Sequence, residues 1–141
     1  MRTLISSLRA LAQDRRGEMD EAAFVFPVLL LIAIALVNMA FYGVVAVNAG
    51  NAANYGARMG AVAQSNPAGV AFANANQAVR AAPIGTYSIG VSGGGAPGSL
   101  ITVSVSYTVP NYFAALAGFF GVGMPAQFTG SASSHFRQEG W

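Results

Sequence analysis

Two groups of residues in this chain have types and spacings that could support chemistry. The first lies near the C-terminus: Ser133, Ser134, the single histidine His135, Arg137 and Glu139. A hydroxyl, an imidazole and a carboxylate make a nucleophilic set when the imidazole can take the hydroxyl proton and the carboxylate can orient the imidazole. That requires convergence, and successive residues of a strand point to opposite faces, so Ser134 and His135 diverge. One histidine, no cysteine and one acid after residue 21 cannot assemble a metal site. The absence of cysteine also removes disulfide and thiolate chemistry. Gly93-Gly94-Gly95-Ala96-Pro97-Gly98 has no lysine and no helix after it, so it reads as a turn and not as a phosphate cradle. The expectation is a protein that is not an enzyme, with no catalytic residues, no cofactor and no metal.

The second group is Asp14-Arg15-Arg16-Gly17-Glu18-Met19-Asp20-Glu21. Four of the seven arginines (Arg2, Arg9, Arg15, Arg16) and four of the five acids (Asp14, Glu18, Asp20, Glu21) precede Ala22. From there to Phe136 the formal charges are Arg58 and Arg80, too sparse for a nucleic-acid footprint, which needs clustered Lys and Arg. Charged residues make up 9% of the chain and apolar ones 54%. So few charges cannot cover a water-exposed surface, and a membrane or an assembly must hide part of the molecule. Glu21 stands where the charged segment meets a long apolar run. A carboxylate at such a boundary is costly unless it is solvated or paired.

The elements that position these groups follow from periodicity. Residues 22–47 form an apolar run interrupted by Asn38 and, mildly, by Pro27, Tyr42 and Gly43. As a helix it rises ~39 Å, more than the ~30 Å hydrocarbon core, and predicts one membrane span. Pro27 fits the first turns of a helix that begins near Glu21, whereas in a helix that begins at Glu18 it introduces a kink. Asn38 is expected to hydrogen-bond a neighbouring helix. The arginine excess before the span places the N-terminus in the cytoplasm and the remainder outside it. Residues 48–64 continue the helix, with Ala49, Ala53, Gly56, Gly60 and Ala63 on one smooth face. Two readings of that face stand side by side: close approach by another subunit, or packing on the chain's own domain.

Beyond the helix, Asn66 is a cap and Pro67 opens a second helix that runs to about Ala82, with Pro83 ending it. Residues 86–92 and 99–109 alternate in polarity and predict a hairpin, and residues 126–136 supply a third strand. The apolar insert at 112–124 is too short to span a bilayer. It reads as a helical lid on the sheet, with an interfacial segment or a subunit contact as alternatives. The predicted fold is α+β: a long N-terminal helix, transmembrane in its first half, then a short helix and a small three-stranded antiparallel sheet. Its segments are a basic leader (1–17), the long helix (18–65) with its span at 22–47, and a small exported domain (66–141).

A basic leader that ends in Gly17, a short acidic segment that reaches Glu21, and an apolar helix with Pro27 six positions after that Glu resemble the prepilins of the TadE-like family of the tight-adherence (Flp, type IV-related) pilus system. Asn51-Ala52-Ala53-Asn54-Tyr55-Gly56-Ala57-Arg58-Met59-Gly60-Ala61 resembles the family's exit from the membrane, and Gly130-Ser131-Ala132-Ser133-Ser134 its final strand. The resemblance implies a prepilin peptidase that cuts between Gly17 and Glu18, and a pilus assembly platform as a partner. Glu21 is the fourth residue after Gly17, where the family usually has the fifth. Three cases therefore stand open: cleavage after Gly17 with a short spacer, cleavage after Arg16, or no processing. Cleavage after Gly17 would free an α-amino group, mostly charged at neutral pH, that can pair with Glu21 of a neighbouring subunit. Alternatively, Glu18, Asp20 and Glu21 favour a helix N-terminus through its dipole.

The functional expectation is a structural or assembly subunit, a pilin or minor pilin, that polymerises or docks through its N-terminal helix. Its partners would be the membrane and other pilin subunits or copies of itself. It would reside in the bacterial cytoplasmic membrane or in an extracellular pilus. The alternative is a single-pass, membrane-anchored binding module that does not polymerise.

Overall fold

The computed structural model describes the backbone of residues 2–119 and 121–139, and side chains from residue 21 onward except at 24 and 119. The chain is α+β. In order it forms α1 (Arg2–Ala61), α2 (Pro67–Val79), β1 (Thr86–Gly93), β2 (Leu100–Pro110), α3 (Tyr112–Phe119) and β3 (Gln127–Arg137). It divides into two compact units, Met1–Val37 and Asn38–Trp141.

The first unit consists of the N-terminal part of α1. The helix begins at Arg2, so Pro27 lies inside it and not in a first turn, and no acidic residue falls in that first turn. The helix thus begins ahead of both expected starts, Glu18 and Glu21. Within α1, Glu21–Ala61 is long and apolar enough to cross a membrane, and its most apolar 18-residue stretch has a mean hydropathy of 2.6.

The second unit is built around β2. Its alternation places Ile101, Val103, Val105, Tyr107 and Val109 in the core. The opposite face carries Thr102, Ser104, Ser106 and Thr108. β2 is the central strand, antiparallel to both neighbours, with Val103 opposite Val91 of β1 and Ser134 of β3. Central strands rich in β-branched residues pack well on a pleated, half-buried surface. The inner face of the sheet is covered by Val45, Ala49, Ala52, Ala53 and Ala57 of α1 and by Ala71, Ala75 and Val79 of α2. Small residues on both helices let this layer lie close to the strands.

Local signals set the connections. The Asn66 side chain accepts a hydrogen bond from the Gly69 N–H (3.1 Å), and Pro67 follows at the first helical position. α2 ends at Val79, short of the expected Ala82, with Pro83 beyond it. The hairpin turn needs glycine at Gly93: φ is +80°, and a Cβ there would strike the Leu100 carbonyl. Gln138 fastens this turn. Its Oε1 accepts from the Gly95 N–H (2.9 Å), its carbonyl accepts from the Gly98 N–H (2.9 Å), and the next residue's N–H donates to the Ala61 carbonyl (2.9 Å). The C-terminus of α1, the β1–β2 turn and the end of β3 therefore meet at one end of the unit.

Candidate functional site

The opposite end of the second unit is organised by two asparagines. Asn38 and Asn111 are both buried. Asn38 Nδ2 donates to Asn111 Oδ1 (3.1 Å), and Asn38 Oδ1 accepts from the Tyr112 N–H (3.3 Å). Asn111 Oδ1 also accepts from the Phe113 N–H (3.1 Å), so it caps α3, while its Nδ2 donates to the Pro125 carbonyl (2.8 Å). The Asn111 N–H donates to the Ala126 carbonyl (2.9 Å). These two side chains bind α1, the start of α3 and the chain returning from α3 into one node. Among the described residues, no buried side-chain nitrogen or oxygen lacks a partner.

The node redefines the expected span at 22–47. The helix that Asn38 hydrogen-bonds is α3 of its own chain, through the cap Asn111 and the first residue Tyr112. From Asn38 onward one side of α1 faces its own domain, with Val45 buried and Phe41, Tyr42 and Ala46 packed against the core. The other side stays open at Met39 (74% exposed), Val44 and Val47 (65%). A turn above the node, Tyr107 Oη and Tyr42 Oη are 3.3 Å apart and the rings tilt at 58°. The hydrogen bond with Tyr42, and then burial, pushes the Tyr107 phenol up to about 12. Further along, Asn48 Nδ2 reaches the Val79 carbonyl (3.3 Å) and Tyr87 Oη (3.2 Å).

The smooth face of α1 is filled from within. A Cβ on Gly56 would stand 2.7 Å from the Ala71 carbonyl oxygen and 2.8 Å from Ala75 Cβ. One on Gly60 would stand 2.7 Å from both Ala71 Cβ and Ile101 Cδ1. Ala49 and Ala53 belong to the same buried layer. Ala63 lies past the end of α1 and is half-buried. Of the two readings of this face, the structure seats α2 and β2 of the same chain on it.

The insert at 112–124 also differs from the lid that was expected. The sheet's core face is covered by α1 and α2, and Ala117, the buried residue described in α3, lies outside that cluster. Tyr112 (58%), Val122 (54%) and Met124 (40%) are exposed. A groove of about 480 Å³ opens beside Tyr112, lined by Phe41, Ile84, Val109 and Pro110 among others.

In the first unit, Glu21, Val25, Phe26, Leu29 and Leu30 are exposed. Glu21 lies well inside α1, so the acidic cluster does not sit at a helix N-terminus. Glu18 and its neighbour Gly17, the cleavage candidates, lie outside the residues whose side chains are described. In β3, Ser133, His135 and Arg137 share the exposed face, while Ser134 points the other way. Among the described residues, no group of three or more His, Cys, Asp or Glu could hold a metal ion.

Asn111 and its pairing with Asn38 are not among the residues that the sequence singles out. The available signal was the cost of an amide inside an apolar run, which demands a partner. What hid that partner was a separation of more than seventy residues. Comparison with protein-family models, curated proteins and solved structures returns no match.

Proposed function

We propose that this chain is a structural or assembly subunit of a tight-adherence, type IV-like pilus, a pilin or minor pilin anchored by one membrane span before it joins the filament. The observation that carries the reading is the exposed apolar surface of α1 before Asn38. Phe26 (68%), Leu29 (58%), Ile32 (51%) and Leu36 (63%) have no cover within their unit, and a basic leader with Gly17 and Glu21 precedes them. Such a surface needs lipid or the same surface of another copy. In the bilayer, lipid covers it. In a filament, helices of neighbouring subunits do so, with Glu21 paired to a neighbour's new α-amino group. On this reading the second unit is exported, and prepilin peptidase and the assembly platform act on the N-terminal segment.

The absence of cysteine makes a clean test available. Leu30→Cys places one thiol on the exposed face of α1. Oxidative cross-linking in cells, followed by a second cross-linker that joins dimers, is expected to yield a ladder of self-adducts. Adding Glu21→Ala is expected to leave membrane insertion intact and to remove the ladder. A thiol that never joins two copies would favour the anchored binding module that does not polymerise. A ladder unchanged by Glu21→Ala would end the charge-pairing role.

A further inference from the structure

We infer that the α3 end of the second unit, at Tyr112 and at Val122 to Met124, is seated in the interfacial layer of the membrane that α1 crosses. The inference rests on the membrane reading of α1 and adds a second, monotopic contact with the same lipid surface.

Chain length is the first ground. A span needs about 20 apolar residues to cross a ~30 Å hydrocarbon core. Residues 22–37 rise ~24 Å as a helix. A span that starts at the Glu21 carboxylate therefore ends inside the second unit, beyond Asn38. Asn38 is the residue hydrogen-bonded to Asn111 and to the Tyr112 backbone, so whatever depth Asn38 occupies, the start of α3 shares it.

Charge is the second. Of the formal charges described in the second unit, Arg58, Arg137 and Glu139 lie toward the end that Gln138 fastens, and Arg80, exposed just past α2, borders the node end without lying in it. Residues 38–47, 82–87 and 107–129, which make up the node end, contain none. An end without charge can reach the boundary with the acyl chains at no Born cost, which the end that carries Arg137 and Glu139 would incur.

Exposure is the third. Met39, Val44, Tyr112, Val122 and Met124 present apolar surface at this end. Tyrosine is a residue of the membrane–water boundary, with an apolar ring and a polar tip. The groove beside Tyr112 gives this layer a concave apolar recess. A lipid surface accounts for exposed apolar side chains on both α1 and the α3 segment. It does so at the one end of the unit to which the span is covalently attached.

The test uses the full chain in vesicles of phosphatidylcholine and phosphatidylglycerol whose acyl chains carry bromine at a shallow or a deep position. In a Trp141→Phe background, single reporters are placed at Val122→Trp, at Leu30→Trp within the span, and at Ala96→Trp on the exposed turn of the opposite end. Val122→Trp is expected to emit at shorter wavelength than Ala96→Trp and to be quenched more by the shallow than by the deep bromine. Leu30→Trp is expected to be quenched by the deep bromine, and Ala96→Trp by neither. If Leu30→Trp is quenched while Val122→Trp is not, the span stands and the interfacial seat is wrong. A blue-shifted but unquenched Val122→Trp likewise overturns it, because the cover is then another copy of the protein and not lipid. Should Leu30→Trp itself escape quenching, the membrane reading falls and the inference falls with it.

Discussion

Asn38 shows how one polar atom in an apolar run decides the local structure. A primary amide withdrawn from water without partners costs several kcal/mol, and a buried group left unsatisfied by mutation typically costs about 1–3 kcal/mol. Here both ends of the Asn38 amide are satisfied by Asn111 and by the Tyr112 N–H. Asn38→Ala is therefore expected to lower the melting temperature of the detergent-solubilised protein by several degrees, since each kcal/mol moves a domain of this size by a few °C. Asn111→Ala should cost more, because Asn111 also caps α3 and holds the Pro125 carbonyl. The two changes made together should be markedly less damaging than their sum, as residues of one network are. Additive effects in that double-mutant cycle would show that the node does not act as a unit.

At the scale of elements, the α1–α2 contact depends on the absence of side chains. Glycine inside a helix costs about 1 kcal/mol relative to alanine. Gly56 and Gly60 offset that cost by letting α2 and Ile101 approach to distances that a Cβ would forbid. Gly50 differs: a Cβ there meets nothing within 4 Å. The same substitution should thus have opposite signs a few turns apart. Gly50→Ala is expected to raise the melting temperature by a few degrees. Gly60→Ala should lower it, and Gly60→Leu should lower it further through overpacking, typically worth 1–3 kcal/mol. Thermal unfolding followed by circular dichroism reads all three. A melting temperature that Gly60→Leu leaves unchanged would contradict the α2 contact described above.

For the whole molecule, the decisive arrangement is the partition of charge along the chain. Arginines cluster before the apolar segment and are scarce after it, a bias that predicts a span with its basic flank in the cytoplasm. Arg80 is exposed just past α2 and gives a natural protease site. Trypsin is expected to cut there in spheroplasts and to be excluded in inverted vesicles. The reverse pattern would place the second unit in the cytoplasm and remove the basis for an exported subunit.

Much of this protein is written in local pattern. The alternation of β2, the Asn66-Pro67 start of α2, the glycine turn at 93–98 and the apolar length of α1 are legible because each depends on neighbours within a few residues. The α+β order of elements follows from them. Three features are not local, and only the tertiary structure decides them. The start of α1 at Arg2, ahead of the acidic cluster, is one: Leu4, Ile5, Leu8, Leu11 and Ala12 form only a weak helical stripe, and no local pattern carries the helix on through the acidic cluster into the apolar run. The partner of the Gly56–Gly60 face is another, because small residues permit close approach without naming what approaches. The third is the Asn38–Asn111 node: an amide's need for a partner is evident from its apolar surroundings, but the partner's identity emerges only when β2 runs back along α1 and its end brings Asn111 to Asn38.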